Sequence, residues 1–368
     1  LNAIDAAIAN PTAAARNSGL PVVGYLANTS PVEMIRAAGA FAQQVNGSPS
    51  DDTADALALM EDFTDGWILS VFQQLLDGRL DHLDALIVPR SSESMLQLYY
   101  QIQDFIRLNP SRKLPQPILF DILHTPYPAT AKYNMGRMVA MRDRMAMLTG
   151  MAVTDDALSA AIVEANAVRN CLAKQNTRRI AGEIAASTMW QLTRASTLIA
   201  PDDFLAACTD VPSMAAPDGP RLLLTGSPHD TEAFHRLVES LGGAITGDDH
   251  MAGDWWFLDP VSAGDPMQAL VDKYHLHAPS PRSFPHEVCD ARLMAAARRS
   301  RARAVIFFTD ARDDVLGFDY PTQRDLLAEH GLPVLFMPGQ DYREPERAAQ
   351  QAQVIEFMSS LGVGEIVA

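Results

Sequence analysis

The chain has 368 residues, 48% of them hydrophobic and 20% charged, with 29 basic against 45 acidic side chains and a formal net charge of −16. That length exceeds one ordinary core and predicts two domains of a folded globular protein. The acidity argues against a nucleic-acid binder, which needs a basic footprint, and no apolar run approaches the ~18–20 residues that span a bilayer.

Residues 1–10 are alanine-rich, carry Asp5 and lack a basic n-region, so they read as an amphipathic helix rather than a secretion signal. Residues 21–26 read as a strand. Ser30 is a good N-cap for the helix that follows, with Pro31 at its first position and Glu33 closing a capping box; that helix is expected to run to about Gln44. Further strands are expected at 85–88 and 118–123, the second ending at the Pro-rich His124-Thr125-Pro126-Tyr127-Pro128. Residues 129–204 read as helix throughout, with Met135, Met138, Met141, Met145 and Met147 as core packing, and a new helix beginning at Thr154-Asp155.

The Pro-, Ala- and Gly-rich stretch 212–220 reads as a domain boundary. It divides the chain into an N-terminal helix with a first α/β domain (1–128), a helical connecting segment (129–211) and a second α/β domain (212–368). In the second domain, strands are expected at 222–224, 244–246, 305–308 and 334–337. Phe234, Leu237, Val238 and Leu241 mark one helical face closed by Gly242-Gly243, and 350–361 reads as the last helix. The alternation predicts an α/β protein of two tandem Rossmann-like (flavodoxin-like) open parallel sheets. Ligands then belong at the strands' carboxyl ends, in loops 27–31, 89–94, 124–128, 225–230, 247–254 and 309–320.

None of these loops carries a G-x-G-x-x-G, Walker or G-x-S-x-G motif. Thr225-Gly226-Ser227-Pro228 reads as a capped helix start, and Gly247-Asp248-Asp249-His250 equally as a turn or as an acid pair for base chemistry. His275, His277, His286 and Cys289 fit no common zinc spacing and read as surface histidines, so no metal ligands are assigned. Arg298, Arg299, Arg301 and Arg303 suit a helix C-terminus. Cys171, Cys208 and Cys289, odd in number and dispersed, predict reduced thiols in a cytoplasmic setting.

In order along the chain, these pieces resemble the 2-hydroxyacyl-CoA dehydratase and benzoyl-CoA reductase family. The resemblance is carried by Gly24-Tyr25, Ser30 to Ile35 and Ala37 to Ala40; by Asp84 to Pro89; by Thr154-Asp155 with Leu158, Asn166 and Arg169; and by Leu224 to Pro228, Glu239 to Gly243 and Gly247-Asp248-Asp249. Phe318-Asp319-Tyr320-Pro321 and Gly331 to Leu335 complete it.

The resemblance implies one subunit of a heterodimer in anaerobic metabolism. In such enzymes an ATP-dependent activator feeds single electrons to a 4Fe–4S cluster, and a ketyl radical of the acyl-CoA thioester permits dehydration or ring reduction. The chain departs from the pattern at the cluster. Where the family has P-x-x-C-D, Pro89-Arg90-Ser91-Ser92-Glu93 stands here; the position of a second cysteine is Asp313; and no cysteine precedes Cys171. Hydroxyl and carboxylate are hard donors and do not replace thiolates.

The resemblance therefore implies a cluster-free half that shapes the acyl-CoA pocket, with no cofactor of its own and the cluster in a paralogous partner. The alternative is a repurposed non-catalytic binding or scaffold subunit. A sugar- or nucleotide-binding module is a third reading and lacks its phosphate loop. Expected site residues are His124 and Ser30 for catalysis, and Thr29, Ser30, Ser92, Glu93 and Asp313 for substrate, the last three in the vacated cluster cavity.

Overall fold

A computed structural model describes residues 2–214, 216–278, 280, 282–343 and 347–362. Two four-stranded parallel sheets organise it. The first contains β1 (Val22–Tyr25), β2 (Phe41–Gln44), β3 (Ala85–Pro89) and β4 (Gln116–Phe120) in the order β2-β1-β3-β4. The second contains β5 (Arg221–Gly226), β6 (Ala244–His250), β7 (Ala304–Asp310) and β8 (Val334–Gln340) in the order β6-β5-β7-β8. Both are doubly wound, with the reversal of strand order beside β1 and β5, as the alternating pattern predicts.

The strands are near-continuous apolar runs because both faces are covered. Leu86-Ile87-Val88 and Val305-Ile306 are wholly buried between helical layers. The connecting segment is the helices Pro128–Thr149, Asp155–Ala181, Ala186–Ala195 and Pro201–Thr209. Thr154 caps the second of these by accepting from the Ala157 amide, and Met138, Met141 and Met145, with Met135 partly buried, pack into the first sheet's core as expected, whereas Met147 points to solvent.

Several local expectations are corrected. The helix after β1 covers only Val32–Ala37, and Phe41–Gln44 is the edge strand β2 rather than its continuation. Pro31 holds the cap position there, while the Ser30 hydroxyl donates to the Leu26 carbonyl at 2.8 Å and makes no capping bond. Gly247-Asp248-Asp249-His250 lies within β6, not in a turn, and the helix after β5 starts at Ala233, well beyond Ser227. The last loop is shorter than expected, since helix Asp314–Glu329 carries the Phe318 to Pro321 tract. Cys171 and Cys208 form a disulfide between helices Asp155–Ala181 and Pro201–Thr209, so only Cys289 matches the reading of reduced thiols.

The two sheets do not keep to separate cores. Val261, Leu270, Val271 and Tyr274, which follow β6 in sequence, are buried with Val23, Ile87 and Phe120 of the first sheet. This excursion lays Ser280 beside Ser91 after β3 and Phe284 beside His124 after β4. Among the described residues no helix is long and apolar enough to cross a membrane.

Candidate functional site in the interdomain cleft

The carboxyl edges of the two sheets face each other, and the loops selected by the strand-end rule meet there. After β1 the chain turns through Ala27, a non-glycine residue at φ 52°, a conformation L-residues rarely adopt. This turn buries Asn28, Thr29 and Ser30. The Thr29 and Ser91 hydroxyls are 2.9 Å apart, and Asn28 accepts from Gln44 at 2.8 Å. From the other side, Ser280 donates to the Ser91 carbonyl at 3.2 Å, and Arg282 pairs with Glu93.

Sequence reasoning singled out Ser92, but the serine turned into the cleft is Ser91, 1% exposed. Ser92 caps helix Glu93–Leu108 by accepting from the Met95 amide at 3.2 Å, and the Glu93 side chain is largely solvent-exposed. Asp313 caps helix Asp314–Glu329, accepting from the Leu316 amide, and its second oxygen accepts from Ser227 at 2.8 Å. Asp313 lines a cavity of about 60 Å³ with Thr225, His250, Ser280, Cys289 and Arg292.

These donors do not fit an iron–sulfur cluster. Ser92 and Asp313, the two positions at which the resemblance implies cysteines, are oxygen groups already engaged as helix caps. Cys289 adds a single sulfur, whose thiol burial pushes toward the protonated form. Among the described residues no group of three or more His, Cys, Asp or Glu is arranged to hold a metal ion.

The electrostatics of the cleft favour neutral groups. Burial, reinforced by the nearby Asp313 charge, lifts Asp65 to about 7. Burial likewise raises Asp313, and raises Asp310 well above the carboxylate range with help from surrounding aspartates. His124 is 7% exposed, and neither ring nitrogen has a hydrogen-bond partner. Burial, then the His275 and Arg282 charges, lowers His124 to about 4, so it is a neutral imidazole at pH 7. It lies beneath the loop 282–284, whose Phe284 amide donates to its carbonyl at 3.2 Å. His275, expected at the surface, is buried beside it with Nε2 2.7 Å from the Thr125 carbonyl. His277 is half-exposed and paired with Asp259.

A second polar cluster was not expected. Asp248 is held by Arg179 at 2.8 Å and by His235 at 3.0 Å, and Arg179 also binds Asp254. His250, buried with both ring nitrogens unpartnered, stands next to it, pushed by burial to about 4. The signal was present as the Asp248-Asp249-His250 tract, but its partner Arg179 lies in the connecting helices.

A family model described as 2-hydroxyglutaryl-CoA dehydratase, D-component, matches residues 28–361. The beta subunit of (R)-phenyllactyl-CoA dehydratase from Clostridium sporogenes is 28% identical over 118 residues. That alignment covers 32% of this chain and 31% of the relative, so it spans about a third of either protein. A solved complex of SsGBP with GDP aligns over 93% of this chain and 99% of that one, at a TM-score of 0.21 and 9% identity, and carries no argument.

Proposed function

The chain belongs to the 2-hydroxyglutaryl-CoA dehydratase D-component family, and from that premise we propose that it is the cluster-free subunit of a heteromeric acyl-CoA dehydratase or reductase-like enzyme. A paralogous partner would carry the 4Fe–4S cluster, charged by an ATP-dependent activator, and this chain would shape the acyl-CoA pocket. The observation that carries the reading is the family match across both sheets, combined with oxygen side chains at positions 92 and 313 that are spent on helix capping. When bound in the partner, the cluster supplies the low-potential electron.

This chain's own residues then bind and orient. The paired hydroxyls of Thr29 and Ser91 offer one proton outward for a substrate oxygen, since only one is needed between them. Ser30, fully buried, keeps only acceptor capacity after donating to Leu26 and serves chiefly to hold the turn. His124, neutral and unpartnered, is suited to accept a hydrogen bond or to take up a proton transiently, not to act as a standing acid. Asp65 and Asp313, both raised by burial, keep charge low near a thioester carbonyl.

The test is iron and acid-labile sulfide on the chain purified anaerobically, alone and with its co-expressed neighbour. Iron found only in the complex supports the cluster-free half. Iron on the isolated chain would overturn it, and iron in neither preparation would leave the alternative of a repurposed binding subunit. Ser92→Ala and Asp313→Ala that both leave the activity of the complex unchanged would mark the former cluster cavity as vestigial.

A further inference from the structure

A cavity of the second sheet lies apart from Thr29, Ser91 and Asp313. It occupies about 430 Å³ at the carboxyl ends of β5, β7 and β8, a size that suits a nucleotide or a comparable organic ligand. One wall is aromatic: His229 stacks on Phe234 at 5.4 Å between centroids, and both rings touch Phe308, at 4.6 and 5.1 Å. Asp310, 9% exposed, lines the cavity at the end of β7. Its amide is bound by Ser227, but its carboxyl group has no hydrogen-bond or ion-pair partner among the described residues. A buried carboxyl left unpaired at a cavity wall is costly unless a ligand or a proton satisfies it. Arg343 and Arg347 stand at the rim, and helix Arg347–Ser360 begins there. Arg347 is in no hydrogen bond or ion pair among the described residues, and Arg343 meets Asp52 only at 3.7 Å.

A flat ring for the aromatic wall, hydrogen-bonding edges for Asp310 and an anionic tail for the two arginines describe one chemical class. We propose that this cavity binds an adenine nucleotide moiety, with the base against Phe234 and Phe308, its edge on Asp310 and its phosphates at Arg343 and Arg347.

Adenine is favoured over guanine by the state of Asp310. Burial and the neighbouring aspartates push its carboxyl well above the usual carboxylate range, toward the protonated form that both donates and accepts and so complements the adjacent ring nitrogen and amino group of adenine. Guanine presents two donors and needs an ionised carboxylate. No glycine-rich phosphate loop is required, since the tail is held by side chains at the rim. A free nucleotide and the nucleotide end of coenzyme A share this chemistry, and the second source rests on the acyl-CoA reading above.

Titration calorimetry of the full chain with ADP, GDP and coenzyme A separates these cases. ADP is expected to bind at least tenfold tighter than GDP. Asp310→Asn, which keeps one donor and one acceptor, retains ADP binding, whereas Asp310→Ala weakens it tenfold or more, and the surface pair Arg343→Ala/Arg347→Ala weakens it comparably. Coenzyme A that binds more tightly than ADP and displaces it identifies a thioester ligand; coenzyme A that binds no better identifies a free nucleotide, and either supports the site. Equal affinity for ADP and GDP, no binding of ADP or coenzyme A at millimolar concentration, or unchanged binding by Asp310→Ala would overturn it. The measurement is independent of iron content and of the partner, so loss of the dehydratase reading leaves its outcome intact.

Discussion

Arg169 has no exposed side-chain surface and is bound to Glu33 at 2.5 Å, with Tyr274 donating to the other Glu33 oxygen at 2.8 Å. Burial pushes the Glu33 carboxyl up, but the Arg169 charge and the surrounding hydrogen bonds outweigh it, so Glu33 titrates below its usual range. Removing one partner leaves the other charge stranded. Arg169→Met is expected to cost about 3–5 kcal/mol in urea denaturation, and Glu33→Leu/Arg169→Met considerably less.

Asp65 behaves in the opposite sense. Its folded value of about 7 lies above that of the unfolded chain, so the fold binds a proton that the unfolded chain releases. That contribution is complete below about pH 4 and is lost as pH rises toward 7. Asp65→Asn should therefore leave stability at low pH unchanged and raise Tm by roughly 2–4 °C above pH 7, with a flatter profile between.

At the level of elements, Gly226 ends β5 at φ 110°, and a Cβ there would fall 1.9 Å from the Phe308 carbonyl oxygen. Gly226→Ala must either part β5 from β7 or rotate the turn that presents Ser227, and a loss of at least about 2 kcal/mol is expected in thermal unfolding. Ser92→Ala, by contrast, removes one N-cap and should cost about 1 kcal/mol.

The same elements show what the sequence made legible. Strands with apolar runs were found because both faces of a parallel sheet are dry. Phe41–Gln44 was missed because an edge strand tolerates polar residues: Gln43 binds His82 at 2.8 Å, and Gln44 binds Asn28. Gly247 to His250 was missed because charged residues in a strand look like a turn until their partner is known. Asp248 finds Arg179 across 69 residues of sequence. Ser92 was preferred over Ser91 because the resemblance sets it at a cysteine position; which of two adjacent serines faces a cleft depends on where the next helix begins, and one residue of shift reverses them.

Across the whole molecule, the sheets are joined at several separate points. Tyr342, which donates to Asp230 within the second domain at 2.8 Å, packs its ring against the first sheet's core, Asn46 donates to the same Asp230 carboxylate at 3.0 Å, and Arg312 reaches the Thr64 carbonyl at 3.3 Å. Arg282 with Glu93 and Ser280 with Ser91 join the opposite rim. Calorimetry should accordingly give one transition rather than two, and Tyr342→Phe should lower it by about 1 kcal/mol without splitting it.

The placement of Val261, Leu270, Val271 and Tyr274 in the first sheet's core bears on how the chain is made. On a ribosome the strands β1 to β4 emerge early, yet the residues that seal one of their faces come more than a hundred positions later. Until then that face, including Val23 and Ile87, is covered only in part, by Met138, Met141, Met145 and Leu158 of the connecting helices, and synthesis cannot complete one half before starting the other. A nascent chain halted near residue 211 should accordingly be open to protease within the first sheet, and one halted beyond residue 290 should be protected there while β5 and β6, still without β7, remain open.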